Sequence, residues 1–374
     1  MIQSNLIRAI LFVLMIGNAQ AQIVINEWSA SNVNTINDNF NQKEDWIELY
    51  NTSSNPIDLQ GYFLTDKPSN KTKWEFPSVT IPANGYQLVF CSKQNTVVGT
   101  FVHTSFKLTQ TDYETIVLYT PSLLVMDSVT MIPALKDHSR GRTTDSAPTW
   151  SLFATPTPGA ANANALTGYV PVPNFDTPIG FHNAAISVAI TCSDSNAEIR
   201  YTTNGDEPTQ ASTLYTAPVA ISATAVLRAR AFSTDPAFHP SFIESGTFFI
   251  NVNHALPVVS VFGEGLNDLF GGTQFSPTTG IEIYDETYTL MGTSYGEADE
   301  HGNDSWAYDQ RGIDFIGRDQ FGYSSGVKAQ VFKQKDREHY QRLILKPAAN
   351  DNYPFEGVHI YAMLIAMSYR SVAN

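Results

Sequence analysis

Side chains able to hold a metal or move a proton fall in a few short clusters of this 374-residue chain. Glu297, Asp299, Glu300 and Asp304 offer carboxylate oxygens, the donors that calcium gathers in sets of about six to eight. Their spacing fits no calcium loop, and His301 and Gly302 interrupt it, so the stretch reads as a flexible, solvated connection. Asn37, Asp38, Asn39 and Asn41, with Glu48 further on, have part of an EF-hand spacing. Gln42 stands where that loop needs glycine, which rules it out. Asp206 and Glu207 are adjacent in a turn and cannot flank one glycosidic bond. His103, His138, His182, His239 and His254 are scattered without partners, so no Ser-His-Asp set is legible. Trp46, Tyr62, Trp74 and Tyr215 could stack on sugars, but sheet packing is their ordinary role. Gly271, Gly272 and Gly292 lack the spacing of a phosphate loop. The sequence predicts no catalytic residue, no metal ligand and no cofactor.

The elements that would carry these residues are strands. Asp45 to Tyr50 alternates, with Ile47 and Leu49 on one face and Trp46, Glu48 and Tyr50 on the other. A polar turn over Asn51 to Pro56 follows, then Ile57 and Leu59, a bend at Gly61, and Tyr62 to Leu64. Ile23 to Ile25, Tyr86 to Phe90 and Ile116 to Tyr119 supply further strands, which predicts a two-sheet sandwich over residues 22–154. The segment from Asn32 to Asn41 reads as an exposed loop. Residues 155–173 turn to Pro, Gly and Ala without charge, the composition of a semi-stiff linker. A second sandwich is expected over residues 174–250, where Ile186 to Ile190, Glu198 to Thr202 and Val226 to Phe232 alternate around the Asn204-Gly205 turn.

Residues 1–21 carry one charge, Arg8, then an apolar run and an Ala19-Gln20-Ala21 cleavage site. This predicts a secretory signal removed at Gln22. The apolar run is shorter than the roughly 20 residues a bilayer needs, so the chain left after cleavage is expected not to span a membrane. The formal charge of -14 disfavours nucleic acid and anionic lipid. Cys91 and Cys192 fall in different expected domains and predict no disulfide framework.

The order Ile25-Asn26-Glu27, Asp45 to Asp66, then Trp74-Glu75-Phe76 resembles the lamin-tail domain, an immunoglobulin-like sandwich. Ile199 to Thr209, with Ser212, Tyr215 and Leu227 to Phe232, resembles the small immunoglobulin-like module at the C-terminus of chitobiases and β-hexosaminidases. Residues 256–374 resemble the opening of a CotH-type kinase-like domain. The carrying segments are Leu256 to Val261, Gly265 to Phe270, Gly312 to Gly317 and Gln341 to Lys346, with Asn350 to Asn352. That resemblance implies an incomplete α+β region in which Lys328, on an alternating run from Gly326 to Phe332, would face a nucleotide phosphate. Lys346 and Asp351 are expected to brace a loop rather than touch a nucleotide, and the resemblance implies that the family's metal-binding carboxylates lie beyond Asn374. The apolar stretch from Ile360 to Met367 has no later element to pack against. The expected architecture is thus two immunoglobulin-like sandwiches in tandem followed by an incomplete α+β region. The expected role is a secreted or cell-surface scaffold binding a cell-envelope glycan or a protein. The alternative is an extracellular CotH-type kinase represented by part of its domain.

Overall fold

The computed structural model describes residues 22–272, 275–302, 312–333 and 335–345. The signal-like segment, Asp304, Lys346, Asp351 and the apolar stretch from Ile360 to Met367 lie outside the described residues. The protein is mainly β.

Alternation places Ile23, Ile25, Ile47, Leu49 and Val89 on one face of a seven-stranded sheet. Its order is Trp150–Phe153, Ser139–Arg142, Ile23–Ser29, Trp46–Asn51, Tyr86–Phe90, Phe101–His103, Thr96–Val98. A four-stranded sheet of Val125–Thr130, Thr115–Tyr119, Phe63–Thr65 and Trp74–Glu75 faces it. Leu64, Trp74, Ile116 and Leu118 come from that side, and the two sets form one core. Asn51 pins the polar turn after its strand: its amide donates to Asn55, Ile81 and Pro82 carbonyls, and its Oδ1 accepts from Ser53. The loop from Asn32 is not fully exposed as its composition suggests. Asn32 and Asp38 turn inward and accept the loop's own amides.

The second sheet runs Gly180–His182, Glu244–Ile250, Ala225–Phe232, Glu198–Thr202, Thr213–Leu214. Ile186–Val188 pairs with Val219–Ile221 across a core of Val188, Ile190, Leu227, Ala229 and Phe248. The third region is an antiparallel sheet of Val258–Phe262, Thr278–Tyr284, Leu290–Glu300, Ile313–Gly317 and Arg342–Leu345. One short helix, Leu266–Phe270, sets Leu266 and Leu269 against Ile281, Ile283 and Phe315.

The three regions touch directly. Phe249 of the second sheet packs with Val258 and Tyr284 of the third, against Phe181. Buried Glu282 accepts the Thr247 amide at 3.1 Å and the Tyr284 hydroxyl at 2.7 Å. The short turn Asp319–Phe321 reaches back to the first sandwich, where Gln110 donates to the Asp319 carbonyl and Ser31 to that of Gln320. The third region thus contacts both sandwiches.

Candidate functional site

Lys328 does not lie on a strand. From Gly326 to Phe332 the chain makes one isolated bridge, Val327 with Tyr340. The Lys328 ammonium is half exposed and donates to Asp112 of the first sandwich at 2.9 Å. It borders a shallow cleft with Gln330, Arg337, Glu338 and His339. Nothing in that contact distinguishes it from a surface ion pair between two regions.

The acidic stretch also departs from expectation. Glu297, Asp299 and Glu300 are not a flexible connection but lie on the long strand Leu290–Glu300. Alternation sends Glu297 and Asp299 to one face and Glu300 to the other, so they cannot converge on one ion. Glu297 pairs with Arg318 at 3.0 Å. Asp206 and Glu207 sit in the expected turn. Asn204 donates to Asp206, and Glu207 pairs with Arg230 at 2.8 Å. Trp46 and Trp74 are buried, so neither is a free stacking platform; Tyr215 packs partly buried against the second core, and its hydroxyl accepts the Ile190 amide. Among the described residues no cluster of three or more His, Cys, Asp or Glu could hold a metal ion.

Histidines that look scattered in the sequence have partners in the fold. His103 is fully buried, with the Ser92 hydroxyl 3.0 Å from Nδ1 and Asn39 Oδ1 2.7 Å from Nε2. Asp38 Oδ2 lies 4.0 Å from Nδ1. Burial holds the ring below its ordinary pKa, with Asp38 and Glu44 opposing. Ser92 is itself buried and also accepts the Gln94 amide, so the line of polar groups holds the loop to the sheet. His138 meets Tyr169 at 2.7 Å and His239 edge-on, where the first sandwich joins the second.

The densest polar constellation is one that spacing did not reveal. A bulge between Ile25 and Glu27 places Glu27 directly opposite Glu48. Two like charges side by side are unfavourable, and both side chains are fully buried. The segment read as a linker resolves this. Thr157 donates its amide to Glu27 at 3.0 Å and its hydroxyl at 2.7 Å, and Ser139 adds a further bond. Gly159 donates its amide to Glu48 at 2.6 Å, and Asn26 bonds the other oxygen. Asn162 accepts from Asn26, donates to the Arg142 carbonyl and gives its amide to Asp145. Gly141 faces Glu27, and a Cβ there would come within 3.0 Å of the Glu27 side chain and 2.9 Å of Phe153. Residues 157–162 are thus a strap closing the outer face of the first sandwich, and Leu166 bridges Leu152 just beyond. Burial raises the Glu48 carboxyl to about 8, with the neighbouring Glu27 and Asp145 carboxylates adding to the rise and the Asn26 and Gly159 hydrogen bonds opposing it; burial raises Glu27 too.

The comparisons with known families follow this architecture. Residues 17–133 match the Lamin Tail Domain, and residues 177–237 match the Chitobiase/beta-hexosaminidase C-terminal domain. The first match ends before the strands Ser139–Arg142 and Trp150–Phe153 and the strap, all of which belong to the same folded unit. No curated protein matches the chain.

Proposed function

We propose that this is an exported, multidomain binding and scaffold protein, working at the cell surface on an envelope glycan or protein ligand. The observation that carries the reading is the pair of family matches to immunoglobulin-like modules, which meet where His138 contacts Tyr169 and His239. The signal-like residues 1–21 support export. No helix among the described residues is long and apolar enough to cross a membrane. The test is fractionation of cells expressing the full chain, followed by sedimentation of the mature protein with isolated envelopes. Recovery outside the cytoplasm and co-sedimentation without nucleotide are expected; a cytoplasmic chain that ignores envelopes would sink the reading.

A second reading is a CotH-type kinase activity of residues 256–374. One feature favours it: Lys328 and Arg337 bring two cationic groups to a single cleft. Incorporation of labelled γ-phosphate that Lys328→Ala abolishes would establish it; the Asp112 ion pair leads us to expect none.

A further inference from the structure

In the second module, the loops 192–197 and 233–238 enclose an open cleft of about 480 Å³ where the chain arrives from the first sandwich. Half-buried Phe238, on a short strand beside Gly168–Tyr169, and Pro171 contribute its apolar lining. Both rims are held by side-chain turns. Asp194 Oδ1 accepts the Asn196 amide, Asp235 Oδ1 accepts the Ala237 amide, and the Asp235 amide donates to Ser233. Each aspartate has a second oxygen that bonds no described protein group, and the side chains of Asn196 and Thr234 bond none either.

We propose that this cleft is a subsite for a neutral oligosaccharide, an inference that rests on the binding role proposed above. A pyranose has an apolar C–H face, which lies against an aromatic ring, and a rim of hydroxyls. Ionised carboxylates are the strongest acceptors for hydroxyl protons, and an amide can donate and accept at once. No Lys or Arg lines the cleft, so a phosphate or sulfate ester would meet two carboxylates without a counter-charge. The rims are fixed by their own backbone bonds, so little ordering cost remains on binding.

The test is calorimetric titration of the full mature chain, in the presence of EDTA, with the β-1,4-linked tetrasaccharides of N-acetylglucosamine and of glucose. One of them is expected to bind in the millimolar range or better. Asn196→Ala should weaken it about tenfold through the loss of a hydrogen bond. Thr234→Arg, which fills the cleft, should abolish it. Both positions are exposed, so unchanged circular dichroism and melting will report intact folding. Failure of both sugars to bind, or binding that both variants retain, overturns the proposal. Envelope co-sedimentation of Thr234→Arg is read in parallel. If it persists while sugar binding proves absent, the scaffold role stands without this subsite; if the unaltered chain does not sediment, the scaffold role falls independently.

Discussion

The outer face of the first sandwich and the loop end of the second both gather Asp, Asn, Thr and Ser, yet the chain treats them in opposite ways. In the first, Asn26, Glu27, Glu48 and Asn162 are buried and bonded to one another and to a strap of their own chain. In the second, the core is apolar around Leu227 and Phe248, while Asp194, Asn196, Thr234 and Asp235 stay at the surface with acceptors to spare. A polar group satisfied internally is spent on folding, and one left at a rigid rim remains free for a ligand. The same residue types therefore argue for stability in one module and for recognition in the other.

The comparison can be broken at its apolar end first. Phe248→Ala empties a fully buried site in the second module and should cost about 4 kcal/mol, read from urea unfolding. A cost below that of the polar substitutions would mean that the second module is not held by its core. Glu48→Gln comes next. One amide hydrogen must face Asn26 or Gly159, each already a donor, so a loss of about 2 kcal/mol is expected. It should also change the pH profile. Because the folded Glu48 carboxyl is raised to about 8, the folded state holds a proton that the unfolded chain releases. That stabilisation is complete below the ordinary carboxyl value and fades as pH rises through about 8. Unfolding midpoints should therefore fall between about pH 5 and pH 9. Glu48→Gln should show a shallower decline, with Asp45 and Glu282, raised to about 8 and about 7, keeping part of it. An unchanged slope would show that the strap holds an ionised pair.

Smaller effects sharpen the contrast. Gly159 has φ 78° with open space around its α-carbon, so Gly159→Ala meets backbone strain without a clash and should cost about 1 kcal/mol. Lys328→Ala removes an exposed ion pair and should cost no more than about 0.5 kcal/mol in the same unfolding assay. A larger loss would show that the Asp112 contact does more than bridge two surfaces.

Alternation made the strands of the first sandwich and the expected Asn204 turn readable before any coordinates, because side-chain direction in a strand depends only on neighbours. The strap could not be read that way. Thr157, Gly159 and Asn162 have the composition of a linker, and the carboxylates that Thr157 and Gly159 bond lie more than a hundred residues earlier. The run around Lys328 is not a strand for a related reason: the alternation is real, but among the described residues only an isolated Val327–Tyr340 bridge takes up the pairing. His103 looked solitary because Asn39 is 64 positions away.

Local pattern by itself determined the β class and the face each residue presents. It also marked the two modules that match known families and the candidate export segment. Only the tertiary structure decided which polar groups are buried together. A one-residue bulge turns Glu27 toward Glu48, and a distant segment then supplies the donors that make their burial tolerable. Periodicity is a property of adjacent residues, whereas satisfying a buried charge depends on whatever the fold brings within hydrogen-bond reach.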